Sequence, residues 1–190
     1  ISYWGNNPRL YIRFERRSLQ RIPAKGPFLE NGALPWVKMP TVFALLRLLG
    51  MPVVAAYAVH GIVAVGAAII VWRVWRHCKE RHLRGAALMT ATFMVSPYVF
   101  DYDLAWLAFP IAWLVLTGLR NGWLRGEREI LAVAWQLPVL IATIATAVNV
   151  QIGPPALCAL LWVTLRRASA SSVLDAAVAD GEADRFVIVP

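Results

Sequence analysis

Four groups of residues in this sequence have the types and spacing to do chemistry. The first is Lys38 in W-V-K-M-P-T-V-F-A-L-L-R-L-L-G (residues 36–50), just ahead of a short apolar helix. A lysine beside the free N–H groups of a helix's first turn is a candidate anion site. Thr41 and Arg47 lie within the same stretch as further candidates for holding a phosphate. The plain alternative is an interfacial anchor helix whose lysine touches lipid headgroups. The second group is Ser96–Asp103, S-P-Y-V-F-D-Y-D, where Asp101, Tyr102 and Asp103 would line a polar cavity. There the carboxylates could orient a sugar hydroxyl or hold Lys38 and nearby arginines; the plain reading is that Asp103 caps a helix and Asp101 is solvated. The third is His60, roughly 12 Å into an apolar helix at the helical rise, a functional candidate by position and otherwise an interhelical hydrogen bond. The fourth, His77, Cys78 and His82, has no second ligand cluster to complete a metal site, so no metal is expected.

The elements that must position these residues follow from hydropathy. Of 190 residues, 59% are hydrophobic and the mean hydropathy is +0.57, far too apolar for an ordinary soluble domain. Long uncharged runs alternate with short charged loops, the pattern of a polytopic all-α membrane bundle. Pro40 suits the first turn of a helix of about three turns, Arg47 its last turn, and Gly50 the left-handed residue just past its end. Residues 52–72 form a first span, in which Ala55, Ala56, Gly61, Ala64 and Ala68 permit close packing. Residues 86–100 form a second and shorter one, and 104–119 a third. Residues 130–165 run without a charge and are broken at 149–155 into a fourth span and a brief fifth, giving about five. Two cysteines in unlike segments, Cys78 and Cys158, imply no disulfide framework.

Charge sets the expected orientation. Residues 73–84 carry five Lys/Arg and one Glu, the strongest orientation signal, and should face the cytoplasm. Residues 1–50 then lie outside, although they hold eight Lys/Arg against two Glu. That excess opposes the positive-inside trend and calls for an external anion, either lipid headgroups or a phosphate-bearing lipid substrate. Within it, residues 8–22 read as a basic amphipathic helix in the headgroup region. The expected organisation is an external basic segment at 1–50, a transmembrane bundle at 51–167 and a disordered cytoplasmic tail at 168–190. The chain opens on Ile1 without a signal-peptide pattern and reads as the C-terminal part of a longer protein.

The order K-M-P-T-V-F-A-L-L-R-L-L-G, an apolar span, a basic loop and S-P-Y-V-F-D-Y-D-L-A-W-L resembles glycosyltransferase family 87, from about Tyr11 to the fourth span. The resemblance implies part of a GT-C-type fold in a bacterial plasma membrane. It implies a hexosyltransferase, typically a mannosyltransferase, drawing on a polyprenyl-phosphate sugar and delivering to an external lipid or glycan acceptor. Membrane lipids are the other expected partners; nucleic acid and cofactors are not expected. The family's catalytic aspartate belongs to an earlier external loop, so no residue here inherits that role. Inverting transfer needs positive charge where the polyprenyl phosphate leaves, and Lys38, Thr41 and Arg47 are the residues expected to supply it. The rival reading is a transporter or flippase fragment. It would favour charges within the spans and inverted repeats, and the sequence shows neither.

Overall fold

The computed structural model describes residues 36–148 and 150–179, all of them helical or connecting segments. The amphipathic helix expected over 8–22 lies outside the described residues, as does the end of the chain from 180. Thr41 sets the first helix, α1 (Val42–Leu48): its hydroxyl accepts the Ala44 N–H at 3.1 Å. A capping hydroxyl of this kind supplies one of the partners that a first helical turn lacks. Pro40 therefore sits one residue before the cap instead of in the first turn, and the helix has two turns, not three. Its end is as expected. Gly50 adopts φ +82°, its N–H reaching Arg47 O and that of Met51 reaching Leu46 O, the paired bonds of a left-handed glycine stop. A 3₁₀ turn, Trp36–Lys38, precedes the cap.

Five longer helices follow: α2 (Val53–His77), α3 (Arg81–Val95), α4 (Ala108–Asn121, continuing a 3₁₀ segment Asp101–Leu107), α5 (Glu127–Val148) and α6 (Gly153–Ala179). Three stretches, Val53–His77, Asp101–Asn121 and Glu127–Val148, are long and apolar enough to cross a membrane. The helix α3 sits at the centre, packed on α2, α4 and α6 and touching the 3₁₀ segment. Leu83, Ala86, Ala87, Thr90, Ala91, Phe93 and Met94 are all buried there. Its small residues let neighbours come close: a Cβ on Gly85 would stand 2.8 Å from the Trp113 ring of α4. The helix α2 buries the stripe Ala56, His60, Ala67 and Val74 against this centre. Of the small residues expected to carry that packing only Ala56 is buried, because the helix turns Gly61 and Ala68 outward. Its other face exposes Val54, Ile62, Val65, Ile69, Trp72 and Trp75, as a lipid-facing surface does.

The second and fifth expected spans differ from the sequence reading. The helix α3 begins at Arg81 instead of Ala86 and stops at Val95. At 15 residues it rises about 22 Å, less than the hydrocarbon core of a bilayer. The helix α6 begins at Gly153, so that Pro154 and Pro155 occupy its first turn, where a missing N–H costs nothing. It then runs for 27 residues, through Arg166 and Arg167 to Ala179, over ground expected to belong to a disordered tail from 168. Arg167 is buried by an acid on another helix, and no local signal marks that pairing.

Candidate functional site

Thr41 joins the two sequence motifs. Besides capping α1, its hydroxyl donates to the carbonyl of Pro97 at 3.1 Å, tying the 36–50 stretch to the linker that leads into Asp101. Phe43, fully buried one residue into the helix, is the hub of an aromatic cluster. Its ring lies 5.6 Å from Trp36, 4.4 Å from Tyr57 on α2 and 6.1 Å from Tyr98 in the linker. The Tyr57 and Tyr98 hydroxyls are hydrogen-bonded to each other. Ring contacts of this kind add about 0.5–1.5 kcal/mol each beyond area burial, enough to fix the relative positions of four segments. The sequence reading missed both tyrosines. Tyr98 stood inside a quoted motif, but Tyr57 sat in an apolar run with nothing to mark it.

From the other side, Gln151 holds the same corner. Its side-chain amide donates to Trp36 O at 2.9 Å and Val37 O at 2.7 Å, across more than a hundred residues. Gly153 presses on Pro40: a Cβ there would meet Pro40 Cβ at 2.5 Å and Pro40 Cα at 2.7 Å. The break between α5 and α6 thus serves as the socket for the turn that ends at Lys38.

The expected site residues fall into three roles. Lys38 is exposed at the end of the 3₁₀ turn, and no ion pair of its charge occurs among the described residues. Arg47 lies half-buried at the far end of α1, its guanidinium 5.9 Å over the Trp36 ring and one Nη donating to Met51 O at 2.6 Å; its Nε is buried without a partner. Trp36 therefore brings the Arg47 head group to the turn that carries Lys38. Thr41, by contrast, spends its hydroxyl on the cap and on Pro97 O, so it positions the corner and has no O–H left for a ligand. Two N–H groups at the start of α1 are closed in the same way, Ala44 by the Thr41 hydroxyl and Leu45 by the Thr41 carbonyl.

His60, Asp101, Tyr102 and Asp103 complete the picture. His60 is buried, and its Nε2 lies 3.0 Å from Val95 O, so that the ring closes a bare carbonyl at the C-terminus of α3. This is the interhelical bond that was the alternative to a cavity role. A carbonyl only accepts, so Nε2 carries the hydrogen, and Nδ1 faces the interior without a partner. Asp103 reaches back to accept the Phe100 N–H at 3.0 Å and Asp101 accepts from Tyr102 N–H at 3.0 Å, both at the start of the 3₁₀ segment. Each carboxylate is half-exposed and keeps acceptor capacity, while the Tyr102 ring stacks on Phe100 and is largely exposed. At the other end of α2, burial pushes the Cys78 thiol pKa up, which disfavours the thiolate.

An apolar groove runs along α4 and α5 from this corner. One part, about 280 Å³, starts at Leu104 and Leu107 in the 3₁₀ segment. A second, about 470 Å³, shares Ile111 and Trp135 with it and continues to Trp123 and Arg128.

A helical bundle with three helices of spanning length and an apolar outer face defines an integral-membrane protein. Residues 9–97 match the family model of glycosyltransferase family 87, a match that supports membership of that family and indicates a membrane glycosyltransferase. The match takes in Lys38, Thr41, Arg47 and His60 and ends at Pro97, short of Asp101, Tyr102 and Asp103 and of the fourth span to which the resemblance was read. No curated protein and no solved structure matches the chain.

Proposed function

We propose that this chain is the donor-handling part of a membrane glycosyltransferase that takes a hexose, mannose by the family resemblance, from a polyprenyl phosphate to an external lipid or glycan acceptor in a bacterial plasma membrane. The observation that carries this reading is the corner built around Phe43. It presents Lys38, with Arg47 behind it, beside the linker that leads to Asp101 and Asp103. When the sugar leaves its carrier, negative charge accumulates on the polyprenyl phosphate, and cations held in place offset it without reorganisation. Lys38 is the exposed charge for that purpose. Arg47 keeps an unpaired Nε–H nearby, and the carboxylates of Asp101 and Asp103 have lone pairs left for sugar hydroxyls. The apolar groove that starts at Leu104 gives an isoprenoid chain a path down the bundle. The attacking hydroxyl's base lies outside this chain's own candidates.

Replacement of Lys38 by Ala in the full-length enzyme tests this reading. With radiolabelled polyprenyl-phosphate mannose and membranes of matched protein content, transfer should fall about tenfold or more, an expected loss of about 1.4 kcal/mol or more of transition-state stabilisation. Lys38→Arg should recover part of it. Unchanged turnover in the alanine variant would remove the lysine from the donor site.

A further inference from the structure

The opposite end of the bundle carries a ring of four tryptophan–arginine pairs. Arg76 lies over Trp72 at 5.4 Å, Arg84 over Trp75 at 5.7 Å, Arg128 over Trp123 at 4.9 Å and Arg166 over Trp162 at 4.5 Å. Tryptophan rings and arginine stems favour the headgroup level of a bilayer, so the ring marks one membrane boundary. Within it, between the end of α2 and α6, lies a polar cleft of about 380 Å³. Arg73 and His77, one turn apart on α2, line one wall; Ser169 and Ser172 of α6 line the other, with Val74 and Cys78 buried at the base. Neither Arg73 nor His77 makes a hydrogen bond or ion pair among the described residues, so two donors stand open towards two hydroxyls.

We infer that this cleft binds the phosphodiester of an anionic phospholipid from the surrounding leaflet. Arginine and imidazole N–H groups suit phosphate oxygens, and the Ser169 hydroxyl adds a donor from the facing wall, where the Ser172 hydroxyl is spent on Ser169 O at 2.9 Å. No carboxylate lines the cleft, so a zwitterionic headgroup would find no partner for its ammonium. The exposed stripe Ile62, Val65 and Ile69 continues along α2 in the direction acyl chains would take. A free anion would gain nothing from that apolar approach. The inference is independent of the glycosyltransferase reading, since none of these residues belongs to the Phe43 corner.

Native mass spectrometry of the purified chain, delipidated in detergent and titrated with phosphatidylglycerol or phosphatidylcholine, tests it. The wild-type chain should hold one phosphatidylglycerol that Arg73→Gln/His77→Gln binds about tenfold more weakly, given about 1 kcal/mol per cation at a membrane surface. Arg73→Gln alone should show about a fivefold loss and Arg73→Lys little, while Arg120→Gln, an equal charge change elsewhere, should bind as wild type. Equal phosphatidylglycerol binding by the double variant, or phosphatidylcholine binding as tight as phosphatidylglycerol, would overturn the site. Displacement of the lipid by millimolar inorganic phosphate would overturn its assignment to the membrane.

Discussion

Replacing Arg167 with Ala should destabilise the bundle by about 3–5 kcal/mol, the usual result of leaving one buried charge without its partner. Glu127, at the start of α5, is fully buried, and Arg167 of α6 is 5% exposed. The guanidinium meets both carboxylate oxygens, with Nε to Oε1 at 2.6 Å, and also donates to Gly122 O at 2.7 Å. The same carboxylate accepts the Leu124 N–H at 2.9 Å. One ion pair therefore fixes the α4–α5 turn, the start of α5 and the middle of α6 together. In the alanine variant the carboxylate would be stranded in an apolar site, and thermal unfolding in detergent should shift down by several degrees or more. The paired replacement Glu127→Gln/Arg167→Met should recover much of the loss, because it removes both charges at once. A midpoint unchanged in Arg167→Ala would mean that the pair does not hold the bundle together.

The second large effect is expected at Gly153, where Ala should cost about 1–3 kcal/mol and also disturb the Lys38 corner. The added methyl would stand 2.5 Å from Pro40 Cβ, 2.7 Å from Pro40 Cα and 2.8 Å from Ile141 Cδ1. The isoleucine can turn away, whereas a proline ring and its backbone cannot. Relief then has to come from shifting Pro40, two residues from Lys38 and next to the Thr41 cap. Gly153→Ala should thus lower the unfolding midpoint and reduce donor use together. An alanine variant with wild-type stability and wild-type transfer would show that α6 and the Pro40 turn are not in close contact. Gly61→Ala is the matched comparison: it has open space around it and should be near neutral, or slightly stabilising because alanine favours helix.

Local features were legible in the sequence wherever the controlling chemistry is local. Gly50 stops α1 because a left-handed residue is needed after its last turn, and the chain supplies a glycine there. The apolar runs announce the spans, and the cluster at 149–155 announces the break after α5. Position within the fold was less legible. The length of α6 depends on Glu127 neutralising Arg167 forty residues away, and a charge pair read along the sequence looks like the end of a span. Thr41 looked available as a ligand because its second partner, Pro97 O, is 56 residues distant. Tyr57 was invisible for the same reason, since its neighbours Phe43 and Tyr98 come from other segments. In each case a non-local partner decides the role of a residue whose type was already known.

The account depends on Lys38 and the 101–103 segment facing the same side of the membrane, with the 73–84 loop on the other. Single cysteines at Lys38, Tyr102 and Lys79, in a chain with Cys78 and Cys158 replaced by Ala, can be tested with a membrane-impermeant maleimide on sealed vesicles of known orientation. All three native side chains are exposed. The account predicts that Lys38→Cys and Tyr102→Cys are modified from one face and Lys79→Cys only from the other. Modification of Lys38→Cys and Tyr102→Cys from opposite faces would contradict it.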